Sequence, residues 1–381
     1  MKNKIIVICL TIVLTASTAM CAHAEDVSMS LNAKSALLMC LDTGDIVYEN
    51  NAHEKMHPAS VTKIMSMLLI MEAIENGKLT LEDEVTTSTY ASKKGGSQIW
   101  LKEGESMTVN DLLKAVCIGS ANDACTVLAE KIAGSEEEFV KMMNDRAKEL
   151  GMIDTNFENC TGLDDTAENH VTCAYDIALM SRQLMKHDMI TKYTTVWMDT
   201  LRGGKTELTN TNKLVRFYEG ATGLKTGTTA KAGSCLSATA TRNGISFVAV
   251  VLGCPTSNDR FEGAKTLLNY GFAKYELYTP KIDKKSISNI SVINGVTKSI
   301  KPSLTQVMPV MIEKGSAQNI QSEINLPASL NAPIEKGQTL GDIQLSIGSE
   351  NIVTIQLKSS VAVEKMSFSV AIKQVLTAIV S

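Results

Sequence analysis

The sequence predicts an α/β (α+β) fold: an antiparallel sheet with a helical cluster, then a small C-terminal all-β domain and a terminal amphipathic helix. Three observations predict it. β-rich runs around turn residues occur early, at 35–51, and again at 221–253. Between them the apolar residues recur at helical spacing. After residue 278 the pattern changes to short alternating runs with polar turns, and helical spacing returns only in the tail.

The first 24 residues form a separate unit. Lys2 and Lys4 precede "IIVICLTIVLTA", an apolar run too short to span a bilayer comfortably, and "AHA" at 22–24 places small residues where a signal peptidase needs them. This reads as a cleaved secretory signal over 1–24. The alternative is lipid on Cys21, against which Met20 stands where a small residue is wanted. Of nine cysteines, seven follow Ala24: Cys40, Cys117, Cys125, Cys160, Cys173, Cys235 and Cys254. Their number is odd and none forms a C-x-x-C pair, so neither a disulfide framework nor a zinc site is expected. Strings such as "KAVCIGS" treat cysteine as a small buried hydrophobe.

"SALLMCLDTGDIVYENN" predicts two strands around an Asp-Thr-Gly-Asp turn. Pro58 then precedes a helix with Ile64, Leu68 and Met71 on its apolar face. "TVNDLLKAVCIG" predicts a helix capped by Thr108, with Asp111 close to a capping-box position and Gly119 as the stop. "NDACTVLAEKIAG" resumes as a second helix ending at Gly134, so "SAN" at 120–122 is the break between them. "CLSATATRNGISFVAVVLG" is a hairpin with a type I′ turn at Asn243-Gly244, and "GATGLKTGTTAKAGS" adds a Gly/Thr-rich edge strand to the same sheet. The expected domains are 25–278, a β domain over 279–361 and a helix over 362–381. In that helix Phe368, Ile372, Val375, Leu376 and Ile379 share a face, a pattern that suits a membrane surface or packing on protein.

Composition narrows the function. The net charge is −4 and no basic run interleaves with aromatics, so no nucleic-acid binding is expected. "GGKT" at 203–206 fails as a P-loop because the first glycine of that motif would fall at Asp199. His53, His57, His170 and His187 show no metal-ligand spacing, and no cofactor is implied.

The chemistry is carried by "HPASVTKIMSMLLIMEAI" at 57–74. Ser60 and Lys63 are three apart and share a helical face, so the amine can reach the hydroxyl. Alone, S-x-x-K is weak, since Ser60 could simply cap a helix. It gains force because Ser120 and Asn122 of "SAN" and Lys225, Thr226, Gly227 and Thr228 of "KTGT" follow in order, at an interhelix loop and an edge strand. A serine hydroxyl needs a base. Lys63 can serve if its pKa falls, through burial and a like charge from Lys225. The backbone N–H groups of Ser60 and Thr228 suit an oxyanion. Ser120 suits proton relay to the leaving amine, and Asn122 suits orientation of Lys63 and of a substrate amide. Lys225, Thr226 and Thr228 suit a carboxylate.

These motifs resemble those of serine β-lactamases and penicillin-binding proteins. Together with "GSANDACTVLAEKIAGSEEEFV", "MNDRAKELGM", "TGLDD", "LKTGTTAKAGSCLSATA" and "INLPASLNAPIEKGQTLGDIQL", they resemble low-molecular-mass penicillin-binding proteins, the serine-type D-alanyl-D-alanine carboxypeptidases of family S11. The likeness covers essentially the whole chain after residue 24. It implies a penicillin-binding-protein/β-lactamase-like transpeptidase domain whose substrate is the peptidoglycan pentapeptide with its D-Ala-D-Ala terminus. It also implies acylation of Ser60, β-lactam antibiotics as acylating ligands, and the tail as an anchor at the extracytoplasmic face of the bacterial cytoplasmic membrane. Two positions depart from relatives. Where some carry an arginine before the KTG strand this chain has Thr211, with Lys213 or Arg216 as substitutes, and Thr228 stands where some have histidine. A class A β-lactamase would need S-D-N and a deacylating glutamate segment that the chain lacks. A non-catalytic wall-binding protein would not need Ser60, Lys63 and Lys225 intact.

Overall fold

The computed structural model of the chain describes residues 29–164 and 167–372. The expected signal segment lies outside them, as do Val375, Leu376 and Ile379 of the tail. Strands β1 (Ser35–Cys40) and β2 (Ile46–Asn50) form the N-terminal hairpin. Strands β3 (Ala221–Thr229), β4 (Gly233–Arg242) and β5 (Ile245–Cys254) follow late in the domain. They join one antiparallel sheet of order β2-β1-β5-β4-β3, in which β1 pairs with β5 from Ser35↔Leu252 to Cys40↔Phe247. Early and late segments thus meet at the centre, and the KTGT strand β3 is left at an edge, as expected. Asn243 (φ 50°) and Gly244 (φ 82°) make the β4–β5 turn with two left-handed residues, which matches the twist of the strands.

Both faces of the sheet are covered, and strand alternation divides the core. Leu37 and Met39 of β1, with Val248, Val250 and Leu252 of β5, face the large helical cluster. Ala36, Leu38 and Cys40, with Phe247, Ala249 and Val251, face helix α6 (Ser257–Lys274) through Phe261, Leu267, Leu268 and Phe272. Full burial of each large apolar side chain contributes roughly 1.5–3 kcal/mol.

The helical cluster contains α1 (Lys63–Glu75), α2 (Val109–Cys117), α3 (Asn122–Ala133), α4 (Glu136–Glu149) and α5 (Ala174–Leu184). Ile64, Leu68 and Met71 are buried, but ten of the thirteen residues of α1 are. The helix is therefore apolar all round and central, not one-faced. Thr108 caps α2 by accepting from Asp111 N–H at 3.2 Å, while the reciprocal half of a capping box does not form and Asp111 instead lies 4.0 Å from Lys114. The seven cysteines are free and buried.

Beyond α6, Tyr275–Tyr278 pairs with Val310–Glu313. The remaining strands form a four-stranded antiparallel sheet over Ile343, Leu345, Ile355 and Leu357, and a three-stranded sheet over Ile290, Val292 and Ile300. Ser367 opens a final helix, accepting at its hydroxyl from Val370 N–H (3.3 Å) and at its carbonyl from Ala371 N–H (2.9 Å).

One glycine decides how closely the loop 158–164 can lie on the start of α1. Gly162 has φ 83°, and a Cβ there would fall 1.8 Å from Ala59 O and 2.7 Å from Thr62 Oγ1. The Gly162→Ala substitution combines a backbone clash with left-handed strain. Denaturant unfolding should show a loss of about 3 kcal/mol or more; a variant within 1 kcal/mol of the parent would refute this packing.

Candidate active site

Ser60 lies in a 3-10 turn, Ala59–Thr62, that leads directly into α1. In a 3-10 turn residues i and i+3 eclipse, so Lys63 is brought beneath Ser60 more directly than α-helical spacing would bring it. Lys63 is fully buried. Its Nζ lies 3.0 Å from Ser60 Oγ, 2.5 Å from Asn122 Oδ1 and 2.8 Å from Thr161 O. Two of these three neighbours, an amide oxygen and a carbonyl, can only accept. A neutral amine has two N–H groups, and they go to those two. Its lone pair is then left facing Ser60 Oγ, the one neighbour with a proton to give.

The Asn122 amide is itself oriented. Its Nδ2 donates to Gly95 O at 2.7 Å, which turns Oδ1 toward Lys63, and its backbone N–H donates to Ser97 O at 2.7 Å. Ser120 sits at the break between α2 and α3 in a left-handed conformation (φ 61°), buried, with no hydrogen bond to its hydroxyl among the described residues. Such a backbone in a non-glycine residue is a strain that surrounding structure must hold.

Burial is the main cause that pushes the Lys63 pKa down, to about 8. The like-charge effect expected between the two lysines acts chiefly in the other direction: Lys225, also buried, is held well below its ordinary value by desolvation and then by Lys63. Lys225 donates to Thr226 O at 2.9 Å, and Thr226 Oγ1 donates to Thr211 Oγ1 at 2.7 Å. Gly227 lets β3 approach the turn that carries Ser60, since a Cβ there would lie 2.7 Å from Pro58 O and 3.0 Å from Ser60 N. The backbone of "KTGT" and the amide of Ser60 therefore line one gap.

Lys213 is exposed, and Arg216 stacks over Trp197 and Phe217. Arg260 of α6 lies against the KTGT strand, its Nη1 donating to Gly227 O (3.0 Å) and Thr228 Oγ1 (2.9 Å). Among the described residues neither Lys225 nor Arg260 has a carboxylate partner. Arg260 escaped the sequence reading because it follows the motif by 32 residues on another element. Thr161 and Gly95 escaped it because they act through carbonyls, which no side-chain pattern records.

Other groups support the site from behind. His170 accepts Glu158 N–H on Nδ1 at 3.0 Å, so its Nε2–H faces Thr62 Oγ1 at 2.8 Å. Desolvation, with His57 beside it, lowers its pKa to about 4 and keeps it neutral. Asp164 accepts from Thr229 Oγ1 at 2.5 Å, tying the 158–164 loop to the end of β3. Away from the site, His53, Asp154 and Cys173 place donor atoms within 4.8 Å of one another. His53 and Lys55 both pair with Asp154 there, at 3.3 and 3.7 Å, and the arrangement is that of an ion pair over a buried thiol.

Comparison with known proteins converges on one family. Residues 19–256 match the family described as D-alanyl-D-alanine carboxypeptidase, and residues 275–365 match the C-terminal domain of penicillin-binding protein 5. The chain is 41% identical to the D-alanyl-D-alanine carboxypeptidase DacF of Bacillus subtilis strain 168, over 90% of this chain and 89% of that one. The crystal structure of penicillin binding protein 5 from Haemophilus influenzae superposes with a TM-score of 0.81 at 30% identity, covering 89% of this chain and 99% of that one. Penicillin-Binding Protein D2 from Listeria monocytogenes, in its ampicillin-bound form, gives 0.59 at 31% identity, with 64% and 99% covered.

Titration of ε-13C-labelled lysine, assigned by the signal missing in Lys63→Ala, should place the Lys63 midpoint near 8. A midpoint at the free-lysine value would mean that the amine is solvated, not buried.

Proposed function

The chain belongs to the D-alanyl-D-alanine carboxypeptidase family, and on that premise we propose that Ser60 is its nucleophile and Lys63 the base. The protein is a serine-type D-alanyl-D-alanine carboxypeptidase, a hydrolase. The observation that carries the assignment is the set of contacts around Lys63, which leaves its lone pair for Ser60 alone. With a pKa of about 8, about one lysine in ten is neutral at pH 7, against roughly one in three thousand for an unperturbed side chain.

Lys63 takes the Ser60 proton as Oγ attacks the carbonyl of the penultimate D-alanine. The backbone N–H groups of Ser60 and Thr228 receive the oxyanion, a contribution of about 3–4 kcal/mol per donor in comparable sites. The proton passes through Ser120 to the leaving D-alanine amine. Asn122 keeps Lys63 aimed throughout and offers its second Nδ2 proton to the substrate amide. The terminal carboxylate is held by Lys225, Thr226 and Thr228, with Arg260 behind Thr228 where the sequence suggested Lys213 or Arg216. Water then attacks the acyl-Ser60 ester, giving its proton to Lys63, which returns it to Ser60 Oγ as the C–Oγ bond breaks and the shortened peptide leaves as its carboxylate.

The proposed substrate is the pentapeptide stem of peptidoglycan, and β-lactams acylate the same serine in place of substrate. The proposed site of action is the extracytoplasmic face of the cytoplasmic membrane, reached through the signal over 1–24 and held by the tail. In support of the tail's role, Phe368 and Ile372 lie one helical turn apart, 84% and 45% exposed, at the start of the last helix. No helix among the described residues is long and apolar enough to cross a membrane.

Intact-mass spectrometry after benzylpenicillin should show one adduct on the parent and none on Ser60→Ala. D-Alanine release from a D-Ala-D-Ala peptide should fall at least about 100-fold in folded Lys63→Ala; near-parental turnover would remove the lysine from this role. Co-sedimentation with phosphatidylglycerol vesicles should retain the full chain and lose it when residues 362–381 are deleted. Equal binding by both would refute the anchor.

A further inference from the structure

We propose that Glu136 is a positioning residue for the catalytic pair, holding Lys63 and Asn122 in register from two sides at once; this rests on the assignment of Lys63 as base. Glu136 opens α4 immediately after its cap, Ser135. A glutamate there ordinarily faces water, where the helix dipole already favours it. Glu137 does so, with its side chain 83% exposed. Glu136 instead folds inward and is only 7% exposed.

Its two oxygens take four donors. Oε1 accepts from the backbone N–H and the thiol of Cys160, both at 3.1 Å. Oε2 accepts from Tyr90 OH at 2.6 Å and Lys94 Nζ at 2.5 Å. That fills the capacity of a carboxylate. None of the three residues that supply them belongs to the catalytic set, but two of these residues, Cys160 and Lys94, stand next in the chain to carbonyls that orient it. Cys160 precedes Thr161, whose carbonyl accepts from Lys63. Lys94 precedes Gly95, whose carbonyl accepts from Asn122 Nδ2. Those two carbonyls aim Lys63 and Asn122, and one carboxylate binds the residue before each of them.

A buried ion pair between Lys94 and Glu136 is weak evidence for stability by itself, because desolvation offsets most of the attraction. Nor would an ion pair alone require Oε1 to hold Cys160. What the arrangement gains is geometry: a peptide segment on each side of the Lys63–Asn122 bond is tied to the same rigid helix end. Displacement of either carbonyl would free a Lys63 or Asn122 proton from its acceptor and let the lone pair turn away from Ser60.

The isosteric Glu136→Gln variant tests this in the full chain. Its amide has one accepting oxygen and an NH2 that only donates, so one of the two segments meets a donor where it needs an acceptor. For D-alanine release, kcat should fall about 10- to 100-fold with KM little changed, as for a misplaced catalytic group. The rate of acylation by benzylpenicillin should fall in parallel. The acid limb of the kcat profile, which follows loss of the Lys63 proton, should move to lower pH, because a lost negative charge and loosened acceptors both disfavour the ammonium. Lys63 is also faced by Lys225, Asp123, Cys125, Cys160 and His170, and Glu136 by Lys94, Tyr90, Cys160 and His170, all of which Glu136→Gln leaves in place.

Glu137→Gln, which removes a charge from the same helix turn, should leave both kcat and the limb at parental values. Lys94→Met keeps the carboxylate on Cys160 while releasing the Gly95 side, and should give a smaller loss of kcat even if Glu136→Gln does not fold. A folded Glu136→Gln with parental kcat, or a kcat loss with no movement of the limb, overturns the proposal; so does a parental Lys94→Met. If Lys63→Ala keeps its acylation rate, the base assignment has failed. If Lys63→Ala is inactive while Glu136→Gln matches the parent, only the present inference falls.

Discussion

A lysine amine fully removed from water, with two acceptors and one hydroxyl around it, is the constraint on which the rest of this structure depends. Burial lowers its proton affinity, and the two acceptors determine which way the lone pair points. Either effect alone would be insufficient. A buried but unoriented amine would not find Ser60, and an oriented but hydrated one would stay protonated at neutral pH.

The second requirement is met by backbone close approach. Gly162 and Gly227 both lie against the Ala59–Thr62 turn, and each is positioned where a single methyl group would collide with it. One brings the 158–164 loop, and with it the Thr161 carbonyl, onto Lys63. The other brings the edge strand β3 against Ser60 N–H. The same compression gathers Lys63, Lys225 and Arg260 into one region, each with carbonyl acceptors and, among the described residues, no carboxylate partner. Burying cations in this way costs stability. A substrate carboxylate, in the role proposed for Lys225, Thr226 and Thr228, would supply the missing partner.

Much of this was legible in the chain. The hairpin turn at Asn243-Gly244, the Thr108 cap and the helix ending before Gly134 all depend on neighbours within a few residues, and local physics dictates them. The pair Ser60 and Lys63 was legible for the same reason, being one turn apart. Less legible was the character of α1, where a one-faced spacing concealed a helix buried all round. Not legible was the contact of Arg260 with the KTGT strand, because it reaches Thr228 from 32 residues away, on a helix at the far face of the sheet.

By itself, then, the sequence determined the elements, their order and which side chains have the right chemistry. Each of those follows from propensity, periodicity and turn geometry acting over short stretches. Only the tertiary structure decided that Asn122, 59 residues from Lys63, turns its oxygen rather than its nitrogen toward the amine. Only it decided that the carbonyls of Thr161 and Gly95 complete the arrangement. Backbone carbonyls are present at every residue, so sequence cannot mark the two that matter; packing selects them by bringing them within reach of Lys63 and Asn122.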